Sequence, residues 1–506
     1  MKKGFCLVVA FLILFMSFSC AEGPAAGNVP PAFGGGPENG LPPQMPEGQP
    51  PEAPPEGMPG GTPPSGKLPE KPDGQMPGFP PEGMPGGMGG PGGTSAPTSW
   101  NAVYAFSEDT SLSNQEIISE GNDESALWVS GGQTALSGAA IRRESDSSSG
   151  GDSASFYGVG AAVLVTDGKL TLSDSEITTN ADGGAGVFAY GSGIAYVDDC
   201  TITTERGTSG GIHVAGGGTL YANNLTVVTN GASSAAIRSD RGGGTMIVNG
   251  GSYTSNGSGS PSVYVTADIT VNQAKLNATG SEALCLEGRN SVALNDCTLE
   301  GNMPDQSQND NTWTVIVYQS MSGDSEIGKG SFSMNGGKLI SHNGGIFYTT
   351  NTVSDFFLKN VEILSAADCE YLLRCTGNTN QRGWGRNGAN GAECNFTCEE
   401  QELSGTILWD SISTLDLSLN SGSIYSGAIL DDETCAGNGG SGSCSLTIDE
   451  TSTWIVSGNS VMTSLTNKGR IMDTNGLSVT VQNPDGQILV QGDSAYIITV
   501  NDFITD

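Results

Sequence analysis

Four consecutive segments between Gly186 and Ala283 repeat one pattern: GVFAYGSGIAYVDDCTITTERGTSG (186–210), GIHVAGGGTLYANNLTVVTNGASSA (211–235), AIRSDRGGGTMIVNGGSYTSNGSGSP (236–261) and SVYVTADITVNQAKLNATGSEA (262–283). Each holds short runs of alternating apolar and polar residues, split by Gly, Asn, Asp or Ser. LCLEGRNSVALNDCTLEGN (284–302) continues the series. The period is 22 to 26 residues through Ala283 and stretches to about 35 further on, where loops are inserted. Helix-period segments are absent from Ser99 onward. One such unit cannot bury its apolar face alone, so units must stack, and short strands in each make the stack a β-solenoid. The expectation is an all-β parallel β-helix of roughly 12 coils, about 60 Å long at the spacing of paired strands.

Aligning the units turns the repeat into columns. In the first strand of each coil the inward column reads Val187, Ile212, Ile237, Val263, Cys285, Val315, Ile346, Leu373, and the next residue points out: Phe188, His213, Arg238, Tyr264, Leu286, Ile316, Phe347, Arg374. In the second strand Val197, Ala222, Val248, Val271, Leu294, Met334 and Leu358 point in. Directly after each comes a turn column, Asp198, Asn223, Asn249, Asn272, Asn295, Asn335, preceded by Ser173. Asn and Asp suit a bend because they tolerate left-handed angles and bond neighbouring backbone. Stacked Asn side chains can also bond one another along the axis.

The columns settle one coincidence. VDDCTI (197–202) and LNDCTL (294–299) place Cys200 and Cys297 in the same inward slot four coils apart, about 19 Å at strand spacing. A disulfide needs Cα atoms within about 7 Å. They are repeat positions and not a pair, and Ser175, Leu225, Gly251, Ala274 and Gly337 fill the slot elsewhere. Cys285 and Cys297 share a coil and are expected to pair across its interior, leaving Cys200 a free buried thiol. Cys369, Cys375, Cys394 and Cys398 flank GNTNQRGWGRNGANG (377–391), and Cys435 and Cys444 bracket GNGGSGS. In an exported chain these read as loop staples ahead of a zinc site, with the connectivity open.

Export is read from the N-terminus. Two lysines precede an apolar run from Phe5 to Phe18, shorter than a membrane span. Ser-Phe-Ser-Cys resembles a bacterial lipoprotein signal with lipidation at Cys20, and ordinary cleavage after Ala21 is the competing reading. Residues 21–98 are rich in Pro, Gly and Met, with PPEGMPGG at 54–61 and again at 80–87. Such a stretch cannot bury enough surface to offset its ordering and reads as a disordered spacer. The divisions expected are therefore signal 1–20, linker 21–98, N-terminal cap and first coils 99–160, β-helix 161–465 and C-terminal cap 466–506. With 54 acidic against 20 basic residues, a net charge of −34, there is no basic patch for nucleic acid. Membrane contact is expected through the lipid anchor alone.

The coil run at 159–299, TVIVYQSMSGDS (314–325) and ISTLDLSLNSGSIYSGAI (412–429) resemble the right-handed parallel β-helix group, the pectin-lyase-like fold. Within it they look most like the adhesin-like bacterial surface proteins that carry export signals, and the likeness covers about 125–465. What the resemblance implies is a non-enzymatic surface protein presenting a β face to a glycan or a protein of a host or neighbouring cell. The alternatives are a polysaccharide lyase or glycoside hydrolase, and a structural surface component.

For hydrolysis two carboxylates at a set separation are needed; Asp198 and Asp199, with His213 one coil on, are adjacent but belong to the bend column. For a lyase the best mix of charge is Arg238, Asp240 and Arg241 with Glu287 and Arg289, which equally reads as an exposed ion-pair patch. Neither set matches a family motif, so no catalytic residue is assigned; no cofactor is implied, with Ca²⁺ left open. The ligand-face candidates are Phe188, His213, Arg238, Tyr264, Phe347 and Arg374, a flat stripe roughly 34 Å long, together with Arg382, Trp384 and Arg386 of the 377–391 loop. Aromatic rings on a rigid face suit sugar rings, and Trp with Arg suits a binding loop. Two readings of the stripe stay open: a free face, or a second small core under the 99–160 segment and the inserted loops. Trp384 likewise either reaches out or folds back over the coil.

Overall fold

Between Val187 and Gly427 each coil of the computed structural model contributes three short strands, and strands of successive coils pair in parallel. The structure describes residues 95–304 and 307–505. The signal at 1–20 with Cys20, and the linker up to residue 94, lie outside the described residues.

The third strand shows why so few residues suffice. Thr201–Thr204, Thr226–Thr229, Ser252–Ser255 and Lys275–Ala278 are four residues each, with the second and fourth side chains buried. The second positions form one column, Ile202, Val227, Tyr253, Leu276, Leu299, Leu339, Ile363, each paired with the next. A lone four-residue strand has almost no stability; here every backbone group has a partner above or below and every inward residue packs on its own column. Val197, Ala222, Val248, Val271, Leu294, Met334 and Leu358 stack inward as expected.

The bend column is where the sequence placed it. Asn249 Nδ2 donates to Asn223 Oδ1 at 2.9 Å, Asn272 to Asn249 at 2.9 Å and Asn295 to Asn272 at 2.8 Å. The left-handed residue is the next one along: Asp174, Asp199, Asn224, Gln273 and Asp296 have φ between 50° and 55°. The slot after that stacks too, since Thr226 N–H donates to the Cys200 carbonyl and Lys338 N–H to that of Cys297, with Leu225, Gly251 and Ala274 between them.

The first-strand columns need two corrections. Val263 pairs with Leu284 and Tyr264 with Cys285, so Leu284 points inward and Cys285 outward. Val315 pairs with Phe347 and Ile316 with Tyr348, which puts Phe347 in the inward column where Ile346 was expected, although Ile346 is buried in the core as well. The outward column is therefore Phe188, His213, Arg238, Tyr264, Cys285, Ile316, Tyr348, Arg374. Both slips fall in strands, Leu284–Glu287 and Gly345–Thr350, whose residues are all buried. Where both faces are covered, apolar alternation no longer fixes register.

Cys285 now faces away from Cys297, so the expected pair within the coil is not there. All nine cysteines among the described residues are free thiols, and Cys375, Cys394, Cys398 and Cys444 are buried in the solenoid interior. The third face is also broken once. Its ten-stranded sheet ends at Glu362–Ser365 and a four-stranded sheet starts at Glu402–Ser404. The buried Gln401 amide bridges the gap, accepting from Val361 N–H and donating to the Val361 carbonyl, each at 2.8 Å. A seven-residue helix, α1 (Gly151–Tyr157), interrupts the strands where no helix was expected. Among the described residues no helix is long and apolar enough to cross a membrane.

Candidate functional site

The outward stripe is covered, and the cover is made of two separate aromatic clusters. On the N-terminal side Leu164, Phe188 and Ala215 are buried with Trp100, Trp128 and Tyr190 against them. Trp100 donates to the Tyr157 carbonyl at 2.8 Å, tying the residue before the Asn101–Phe106 strand to the end of α1. Gly158 ends that helix at φ 70°, so close to the stripe that a Cβ there would lie 2.9 Å from Phe188 Cγ. Only glycine combines that angle with that approach. On the C-terminal side Cys285, Met303, Trp313, Ile316, Tyr318 and Tyr348 form the second cluster, with Tyr264 and Trp384 packed on it. The 377–391 loop is pinned there: Thr379 N–H donates to Asp310 at 2.7 Å, and Arg382 Nε to Asn309 at 2.8 Å.

Trp384 has therefore folded back, its ring centroid 4.4 Å from Tyr318 and 6.1 Å from Trp313. Arg382 and Arg386 on either side of it are exposed. Arg374, the last residue of the stripe, pairs with Asp432 at 2.9 Å. Phe188 and His213 are fully buried and cannot offer a flat face to a partner.

Between the two clusters the cover opens over Arg238 and Tyr264, leaving a cavity of about 360 Å³. Its walls include Asp152, Ser155 and Phe156 from α1, Arg238 and Asp240 from the coil, and Asp324 from the loop after the Trp313–Tyr318 strand. Three carboxylates line it, of which Asp240 is paired with Arg238 and Asp324 with Arg241. Arg238 spends its whole fork inside the protein: Nε and Nη2 on Asp240 Oδ2 at 3.2 and 2.9 Å, Nη1 on the Ser233 carbonyl at 2.6 Å, Nη2 on Ser155 Oγ at 2.8 Å. Arg241 pairs with Asp324 at 2.8 Å and lies 4.0 Å from the Phe156 ring centre, joining the loop to the helix. Of the exposed ion-pair patch expected here, Arg238, Asp240 and Glu287 are buried and Arg241 is half-buried, while Arg289 stays outside, paired loosely with Glu326 at 3.7 Å.

Beneath the cavity sits a second carboxylate network. Glu287, 1% exposed, accepts from Tyr264 Oη at 3.0 Å, Tyr318 Oη at 2.9 Å and Ser320 Oγ. His213 stacks on Phe188 with ring centroids 4.0 Å apart; neither ring nitrogen has a hydrogen-bond partner, and Nε2 is 3.8 Å from Asp240. Burial, then the neighbouring Arg238 charge, holds His213 neutral, well below the ordinary imidazole range. Burial pushes the Asp240 carboxyl up to about 6 despite the opposing pull of Arg238. Glu287 is raised by the same cause.

Asp198 and Asp199 stand apart from all this, accepting from Asn223 and Asn224 in the bend ladder. Among the described residues no group of three or more His, Cys, Asp or Glu is placed to hold a metal ion. Asp152, Ser155, Asp324, Tyr318 and Ser320 were not singled out in the sequence. Asp152 and Ser155 come from an unanticipated helix and Ser320 and Asp324 from a loop between strands, neither of which repeats, while Tyr318 ends the Trp313–Tyr318 strand opposite Glu287.

The opposed shifts give a measurable pH signature. Between roughly pH 4 and 6 folded Asp240 holds a proton that the unfolded chain has released. Its burial costs nothing below that window and its full amount above, up to about 3 kcal/mol at 1.36 kcal/mol per unit. Stability from this group therefore falls as pH rises. His213 works the other way, since the unfolded imidazole takes a proton below its ordinary value and the folded one does not. Asp240→Asn removes the first effect and leaves the second. Denaturant midpoints at pH 4, 5, 6 and 7 should show the advantage of the natural chain over D240N growing as pH falls; parallel curves would place the titrating group elsewhere.

No protein-family model matches the chain, and no curated protein or solved structure matches it.

Proposed function

We propose that the chain is an exported, lipid-anchored surface protein of the right-handed parallel β-helix, adhesin-like kind, and that it binds a glycan without cleaving it. The glycan enters the flank cavity between α1 and the 319–325 loop. The observation that carries this is the cavity itself: the stripe is sealed by aromatic packing at both ends and left open where Arg238, Asp240, Tyr264 and Asp324 converge. A concave site on which a few polar groups converge is the usual form of a small-ligand site. Carboxylates accept from sugar hydroxyls, while Phe156, Pro261 and Tyr264 supply ring faces. Charge narrows the class. A uronate would add an anion beside Asp152, Asp240 and Asp324 on a chain of net charge −34, so neutral hexoses and amino sugars fit and acidic polysaccharides do not.

Asp240 supports a second reading, hydrolysis. A buried carboxyl raised to about 6 beside a further carboxylate, Asp324, has the character of a general acid next to a base.

The test is calorimetric titration of the purified chain with oligomers of glucose, glucosamine and galacturonate, followed by size-exclusion with mass detection on the matching polymers. Glucose or glucosamine oligomers should bind at least tenfold more tightly than galacturonate oligomers, and Asp324→Asn should weaken them. Tighter binding of galacturonate would sink the charge argument, and binding of none would sink the glycan reading. A fall in polymer mass would replace the non-catalytic reading by hydrolysis.

A further inference from the structure

We infer that the flank cavity is the first of two adjoining subsites, and that the ligand is a chain of at least two linked sugars lying along the solenoid axis. This rests on the glycan reading and extends it.

A second cavity of about 150 Å³ opens on the far side of Tyr264. It shares Gly259, Pro261 and Tyr264 with the first, so the two meet over that coil. Their floors are successive rungs of one column, Arg238, Tyr264, Cys285, Ile316. Three steps of strand spacing make about 14 Å, room for two linked hexoses end to end. The walls differ in kind. Where the first cavity is lined mainly by carboxylates, the second is lined mainly by Trp313, Tyr318 and Trp384, with Glu282 and Arg382 beside them.

One observation marks the second cavity as a ligand site. Trp384 is only half-buried, unlike the rings beneath it, and is held in place by its carbonyl, which accepts from the buried Asn390 amide at 3.0 Å. An oriented ring that keeps part of its surface free suits the apolar face of a sugar. In the inferred complex the second sugar rests on Trp384, beside the Arg382 guanidinium that lies 5.6 Å from the ring centre.

The experiment compares glucosamine and glucose with their β-1,4-linked disaccharides, titrated into the full chain and into W384A and W384F, with circular dichroism to establish that each variant is folded. The disaccharide should bind at least tenfold more tightly than the monosaccharide. That gain should drop below threefold in W384A, which removes the stacking ring, and should largely persist in W384F, which keeps an aromatic face. Monosaccharide binding with no gain in the natural chain, or a gain that survives W384A, overturns the second subsite and leaves the first standing. Failure of every sugar to bind overturns the glycan reading and the subsite with it.

Discussion

Arg238→Met should lower stability at pH 7 by about 3–5 kcal/mol, the usual cost of removing one member of a buried ion pair. The substitution fills a similar volume, so the loss is electrostatic. Asp240, 3% exposed, would be left with no cation on it, so at pH 7 it must either hold an unpaired buried charge or take up a proton against the solution pH. The Ser233 carbonyl and Ser155 Oγ would lose their donor at the same time, and each orphaned buried group adds to the cost. The damage should also be local. Ser155 belongs to α1, and its bond to Arg238 spans 83 residues of sequence to hold the helix against the coil. Hydrogen exchange in α1 and in the Ile237–Ser239 strand should rise more than in coils further along. Acid should rescue the variant, because protonating Asp240 removes the unpaired charge; the deficit measured at pH 5 should be clearly smaller than at pH 7. A deficit under 1 kcal/mol at pH 7 would mean that the pair is open to water and the cavity wall is not as described.

How much of this the sequence disclosed follows from what repeats. The second and third strands alternate strictly, with one face in water, so their columns and the Asn ladder were legible residue by residue. The first strand lies under the cover. Its residues are apolar on both faces, and LCLE and GIFYTT give no alternation to align on, so Cys285 and Phe347 were each set one place off. That slip also created the false pairing of Cys285 with Cys297. Arg238, Asp240, Tyr264 and Glu287 drew notice as charged or aromatic residues in a column, but only tertiary structure shows them walled in. Asp324 and Ser155 were beyond reach, since a loop and a single helical stretch leave no periodic trace. The site is thus half repeat and half insertion, and the sequence discloses the repeat half.

Phe356→Ala probes the repeat itself and should cost about 3–5 kcal/mol, the range for deleting a buried phenylalanine. Phe332, Phe356 and Phe396 occupy one inward column in three successive coils. Their ring centroids are 5.8 and 5.4 Å apart, and Phe347 leans on Phe356 and Phe396 from the neighbouring strand at 5.7 and 5.5 Å. Removing the middle ring breaks the contacts to the coil before and the coil after together, each worth about 0.5–1.5 kcal/mol beyond area burial. The cavity cannot collapse, because coil spacing is fixed by backbone pairing on every face. In a quasi-one-dimensional array stability is the sum of units and their interfaces, so one weakened interface divides the stack. The expected outcome is a denaturation curve that splits, with hydrogen exchange rising first in Lys329–Asn335, Val353–Lys359 and Glu393–Glu399 while the Ile194–Asp198 region stays protected. A single transition shifted as a whole would show instead that the covering loops and α1 bind the coils into one cooperative body, and that the solenoid does not unfold as a stack of neighbours.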